Sequence, residues 1–266
     1  MTYFGVLLRF TGPPLVILAA ITAYDLARHK RVPSQYRTWP VWAILLGHVA
    51  IALLYTTPWD NYLVANRVWW YEPSLVTGIV FGWVPIEEYT FFVVQTLIAG
   101  LWLWLWLRRI PPPGPAFVAN HVARWVSAGL GGIVWVIWLT LLVTGWRHGW
   151  YMELLLAWFL PPILLQLAFG ADILWHYRRL VLTGLIPPFV YLCVVDAIAI
   201  RSGTWTINPA NTVGWYLGGV LPLEEITFFL LTNVLIVFGI VLMLSRESHI
   251  RAKTPVGKAL ASSVST

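Results

Sequence analysis

Pro85-Ile86-Glu87-Glu88-Tyr89-Thr90-Phe91-Phe92 returns later in the chain as Pro222-Leu223-Glu224-Glu225-Ile226-Thr227-Phe228-Phe229. Each copy lies inside a long apolar run. Paired carboxylates are expensive in hydrocarbon, so two matched pairs point to a functional site. The chain of 266 residues is 59% hydrophobic and 11% charged, with 18 Trp. Soluble domains carry about 25% charged residues, so this is a membrane protein. The net charge of +6 does not imply nucleic acid, because the basic residues sit mostly in short loops between apolar runs.

Seven runs are long enough to cross the membrane: 4–24, 39–57, 74–107, 123–144, 151–174, 181–200 and 211–245. Arg9 follows the first apolar residues and Pro13-Pro14 interrupts them, so the N-terminus reads as a retained span instead of a signal peptide. Alternate loops and the C-terminal tail hold thirteen Lys/Arg, including Arg28, Arg108, Arg178 and Lys258. The opposite loops hold three: Arg67, Arg147 and Arg201. The positive-inside rule then predicts a multi-pass cell-membrane protein, N-terminus outside and C-terminus cytoplasmic.

The repeat extends beyond the glutamates. Tyr3 and Pro13-Pro14 match Tyr151 and Pro161-Pro162. Asp25, His29, Arg31 and Pro40 match Asp172, His176, Arg178 and Pro187. Asp60, Trp69 and Pro73 match Asp196, Trp205 and Pro209. The fold class expected is an all-α integral membrane protein. Its seven transmembrane helices form two parallel three-helix repeats plus one connecting helix, which restores orientation between them. The units are 1–110, a linker and connecting span at 111–149, 150–245, and a disordered cytoplasmic tail at 246–266. Runs 74–107 and 211–245 exceed one crossing, so Pro85 and Pro222 read as helix starts or sharp kinks after shorter apolar segments in the outer half. One steeply tilted, unbroken helix is the alternative.

Four carboxyls gathered in a low-dielectric place cannot all ionise, so at least one neutral acid beside an ionised base is expected. Phe91 and Phe92 share a helix face with Glu88, as Phe228 and Phe229 do with Glu225. Aromatic faces stabilise cations. Acid, base and aromatic walls suit protonation of an alkene, guidance of the cation to a ring, and loss of a proton. Asp60 and Asp196 approach the same side and are candidate partners of Glu87, Glu88, Glu224 and Glu225. Trp69 and Trp205, matched at that level, join the four Phe as candidate substrate contacts. Other residues have blander readings. Trp102, Trp104, Trp106, Trp70, Trp146 and Trp150 fit interfacial belts, as Trp69 also does. His29 and His176 read as interfacial structure, and Asp25 and Asp172 as partners for the neighbouring bases. No cofactor or metal is expected. Gly129-Leu130-Gly131-Gly132 lacks the dinucleotide spacing, no aspartate-rich or paired-histidine motif occurs, and Cys193 is the single cysteine.

Pro-Ile-Glu-Glu and Pro-Leu-Glu-Glu, each with Phe-Phe, and Pro58-Trp59-Asp60-Asn61 resemble the heterodimer-type lycopene cyclases of bacteria and archaea. The chain is similar to the fused form, over about residues 1–245. The resemblance implies a carotenoid substrate and acid-catalysed, redox-neutral cyclisation of its linear ψ-ends, with β-, ε- or γ-rings and C40 or longer carotenoids open within the family. The reading taken is a lycopene cyclase giving γ-carotene and then β-carotene. The resemblance also implies Glu87, Glu88, Glu224 and Glu225 as essential carboxylates. The partners are then a carotenoid and the bilayer, with a homo-oligomer left open. A proton-coupled transporter or channel using the carboxylates as a relay is the rival reading, and a noncatalytic carotenoid-binding protein a third.

Overall fold

All seven apolar runs become helices long and apolar enough to cross a membrane. The structure, a computed structural model, describes residues 1–253 apart from Pro115 and Arg147. The first span is α1 (Tyr3–Val6) and α2 (Gly12–Ala27), joined by a π-helical turn at Leu7–Thr11. The others are α3 (Val41–Ala65), α4 (Ile86–Leu107), α5 (His121–Thr144), α6 (Trp150–His176), α7 (Arg178–Arg201) and α8 (Leu223–Leu244).

Prolines interrupt several of these helices, and each removes an N–H that would have bonded the carbonyl four residues back. Aromatic side chains on neighbouring helices take up four of the freed carbonyls, which apolar surroundings leave without water. Pro14 frees Phe10 O, which accepts from Tyr191 Oη on α7. Pro161 frees Ala157 O, which accepts from Trp135 Nε1 on α5 at 3.1 Å. Pro162 frees Trp158 O, which accepts from Tyr55 Oη on α3 at 2.6 Å. Pro187 frees Thr183 O, which accepts from Trp102 Nε1 on α4 at 2.8 Å. Each of these four defects is therefore also a tie between two helices.

α4 and α8 form the enclosed centre. Phe91 meets Phe229 at 6.1 Å between centroids, Gln95 Nε2 donates to Thr232 Oγ1 at 2.7 Å, and Gly100 faces Ile240. These contacts advance together along both helices, so α4 and α8 run parallel. α5 buries no residue and packs along α6.

The segments before Pro85 and Pro222 are not membrane helix. β1 (Trp69–Tyr71) pairs antiparallel with β4 (Trp205–Ile207), joining the two halves, with Tyr71 opposite Trp205. β2 (Val80–Phe81) and β3 (Val84–Pro85) form a hairpin, as do β5 (Tyr216–Leu217) and β6 (Leu221–Pro222). Gly78 matches Gly214, but Glu87 matches Glu224 one residue later. The extra residue lies in the second turn, Gly218-Gly219-Val220 against Gly82-Trp83. Gly82, Gly218 and Gly219 have φ of +68°, +59° and +70°, which glycine adopts without strain. Pro85 and Pro222 are the N-caps of α4 and α8, so helices start there and the unbroken tilted helix is excluded.

Three expectations need correction. α3 does not end near residue 57 but runs through Pro58, Trp59 and Asp60 to Ala65, because its last turns bury Trp59, Asp60 and Leu63 inside the bundle. Asp25 and Asp172 do not serve mainly their sequence neighbours. Asp25 holds Arg108 Nε at 3.2 Å and Arg109 Nη1 at 2.8 Å, just beyond α4, besides Lys30. Asp172 takes both Arg251 nitrogens, at 2.8 and 2.7 Å, beyond α8. That bidentate clamp orders part of the expected disordered tail, and residues 246–253 are helical. Arg147, Lys258 and the tail after residue 253 lie outside the described residues.

Candidate active site

A helix turns about 100° per residue, so two adjacent glutamates in one turn diverge. Glu87 points back to the loop before its helix, where its Oε1 accepts Thr77 N–H at 2.7 Å. Glu224 does the same with Val213 N–H, also at 2.7 Å. Glu88 and Glu225 point into the bundle. Glu88 Oε2 accepts from Tyr3 Oη at 2.5 Å and from Tyr71 Oη at 3.1 Å. Glu225 Oε1 accepts from Tyr151 Oη at 2.8 Å. Burial, with the Asp60 and Glu88 charges adding to it, pushes the Tyr71 phenol well above its ordinary range and keeps it a donor.

Glu88 and Glu225 line one cavity of about 40 Å³ together with Asp60 and Asp196. The structure thus brings together four carboxyls, but not the four of the doubled motif. Glu87 and Glu224 are buried outside it, each holding a loop amide. Asp196 Oδ1 accepts from Trp205 Nε1 at 2.9 Å, and neither oxygen of Asp60 has a hydrogen-bond partner among the described residues. Among the described residues, no Lys, Arg or His lines the cavity. All four phenylalanines singled out, Phe91, Phe92, Phe228 and Phe229, line it, and so do Trp69 and Trp205.

The walls interlock the halves. Tyr3, which serves Glu88, packs on Trp205 of the second half at 4.8 Å. Tyr151, which serves Glu225, packs on Trp69 of the first half at 5.2 Å. Trp59 stacks on Phe228 at 5.9 Å with 3° between planes. Sequence reasoning did not assign Tyr3, Tyr71, Tyr151 or Trp59 to this site. The match of Tyr3 with Tyr151 was the available signal for two of them. Tyr71 has no such signal, because Ile207 stands at its matched position. One glutamate therefore has two phenol donors and the other has one. Among the described residues no three His, Cys, Asp or Glu converge as ligands for a metal ion.

A sequence profile of the lycopene cyclase family matches the chain in two segments, residues 10–106 and 147–244. Lycopene beta-cyclase of Halobacterium salinarum is 37% identical over 246 residues, 91% of this chain and 95% of that protein. The bifunctional lycopene cyclase/phytoene synthase of Podospora anserina is 38% identical over 208 residues, covering 72% of this chain and 33% of the fungal protein. The protein of the same name in Phaffia rhodozyma is 34% identical over 259 residues, or 90% of this chain and 36% of its own length. No solved structure matches. The two-segment match and the near full-length similarity to the haloarchaeal protein place this chain in the lycopene cyclase family.

Proposed function

We propose that this chain cyclises the linear ψ-ends of lycopene within the bilayer, forming γ-carotene and then β-carotene without net redox change. The observation that carries the reading is one cavity lined by carboxyls from both halves and by aromatic rings, with no basic side chain among the described residues that line it. Glu225, with its single phenol donor, is the acid. Glu88, whose two phenol donors best satisfy a negative charge, is the base. Glu225 gives its proton to C2 of the terminal double bond, leaving a tertiary cation at C1. The C5–C6 double bond attacks C1, which closes the ring and moves the cation to C5. Glu88 removes the proton from C6, and the C5–C6 double bond re-forms. The rings of Trp59, Phe91, Phe92, Phe228 and Phe229 surround the migrating charge. Asp60 and Asp196 lie in the same cavity and carry protons between Glu88, Glu225 and solvent between turnovers. Trp69 and Trp205 hold Tyr71 and Asp196 in place.

The same reading places residues 1–110 and 150–245 as two repeats about an axis along the membrane normal, joined through 111–149. Their support is the parallel run of α4 and α8 and the cross-half β1–β4 pair. The N-terminus lies outside and the carboxyls in the outer half of the bilayer. One chain supplies both halves of the site, so the site does not call for a homo-oligomer. A transporter would need a polar track onward from the carboxyls, and the cavity next to them is mostly apolar.

The test is turnover by purified protein in lipid and heavy water, with unlabelled lycopene and no nicotinamide. A carboxyl proton exchanges with solvent between turnovers, whereas the new C–H bond does not exchange back. About one deuterium per ring is expected by mass spectrometry. Cyclic product without deuterium would end the glutamate-acid mechanism, and unchanged lycopene would end the cyclase reading.

A further inference from the structure

The carboxyl cavity is too small for an isoprenoid end, since about 40 Å³ has room for only a few waters. A second cavity, of about 310 Å³, begins where it stops. Phe92 and Phe228 line both, so two rings form the partition. The second cavity continues down the same helices, past Gln95 on α4 and Thr232 and Ile236 on α8. Its other walls are α3 and α6. These two helices are latched beside the partition, where Tyr55 Oη donates to Trp158 O at 2.6 Å and Trp158 Nε1 to Tyr55 O at 3.3 Å. Beyond the latch the lining includes Ile51 and Leu165, whose exposures are 60% and 73%. The cavity thus opens sideways between α3 and α6, onto the lipid-facing surface. Several of its polar groups bond partners within the bundle, whereas Gln166 Oε1 is buried with no hydrogen-bond partner among the described residues. His48 Nδ1 meets Ile44 O, Gln166 Nε2 donates to Leu235 O, and Gln95 Nε2 donates to Thr232 Oγ1.

We infer that this lateral slot takes the polyene chain of the carotenoid and that Phe92 and Phe228 swing aside to pass its end into the carboxyl chamber. The inference rests on the cyclase reading for the identity of the polyene. A carotenoid end must reach the acid while its long apolar middle stays out of water, and this slot adjoins the chamber and reaches the bilayer. Chamber and slot together follow α8 from Glu225 to Ile236. That is roughly 16 Å of helix, about half the hydrocarbon core. The slot therefore holds one end and part of the chain, with the rest in lipid. The substrate must leave and turn round before its second end can react, so γ-carotene is released between the two ring closures.

The experiment uses the full chain in lipid nanodiscs with lycopene, an achiral polyene. Bound in a chiral slot it acquires visible circular dichroism, which reports seating independently of catalysis. Wild type, read before turnover, and Glu225→Gln should both give this signal, which in Glu225→Gln saturates at one lycopene per chain. Ala52→Trp, which fills the slot, should cut it at least tenfold. Leu165→Trp at the exposed lip should do the same without disturbing the packed interior, and decides the matter if Ala52→Trp does not fold by thermal unfolding. A signal retained in the folded Trp variants, or none in wild type, would overturn the slot. A Trp-sensitive signal in wild type that forms no cyclic product would uphold the slot and overturn the cyclase reading.

Discussion

At the scale of single residues, the 100° between neighbours on a helix divides each glutamate pair. Glu88 and Glu225 face the chamber, whereas Glu87 and Glu224 hold the loops before their helices through one amide each. Gln can still accept that amide but cannot deliver or take a proton as a carboxyl does. Glu88→Gln and Glu225→Gln should each lower kcat by at least the ~10²–10⁴ typical of a lost general acid or base. Glu87→Gln and Glu224→Gln should lose less than about tenfold, in keeping with one weakened hydrogen bond of about 1 kcal/mol. Equal losses at all four, in single-turnover assays on folded protein, would remove this division. The doubled motif presents four equivalent acids, because the phase of a helix depends on where its cap and preceding loop settle. The phenol donors were hidden for a related reason. Tyr3 and Tyr71 come from separate segments, and only folding brings them to Glu88.

At the scale of elements, the ties at prolines carry their own prediction. Trp102→Phe leaves Thr183 O without its donor, and Pro187 has no N–H to offer. The loss should be about 1 kcal/mol, the size of interhelical hydrogen bonds in membranes. Adding Pro187→Ala to that variant supplies the N–H and should restore most of the stability, read by unfolding in mixed micelles. No recovery would show that the indole bond is not the source of the loss. Helix starts at Pro85 and Pro222 were legible, because proline at a helix start has a local cause. The hairpins were not. Their two-residue strands and glycine turns carry Val80, Phe81, Tyr216 and Leu217, and such apolar residues read as membrane span by hydropathy alone.

For the whole molecule, thirteen basic residues on one side against three on the other set the expected orientation. Asp25 and Asp172 hold Arg108, Arg109 and Arg251 at the ends of the same spans opposite the glutamates. Reporter fusions after residues 37, 66, 112, 148, 179, 206 and 258 should alternate, starting inside. Two adjacent fusions on one side would overturn the arrangement. The seven spans were legible because hydropathy survives without coordinates. The cross-half packing of Tyr3 on Trp205 and Tyr151 on Trp69 was not, because no local pattern encodes contacts between distant segments.

The tight aromatic wall of the carboxyl chamber also bears on what the reaction does not make. A tertiary carbocation that meets water is quenched to an alcohol, its oxygen bonding C1 and the spare proton passing to a carboxylate. Rings such as Phe228, 6% exposed and stacked on Trp59, leave water little space beside that carbon. Purity of product, as much as speed, is then set by these side chains. Phe228→Ala should divert a measurable share of turnover to an acyclic hydroxy-carotenoid heavier than lycopene by one water. Chromatography of the pigments would show it as a polar band absent from wild type, and a variant that is slower but still makes only hydrocarbon would refute the idea. On this account the phenylalanines of the doubled motif guard the identity of the product, while its inward glutamates make it.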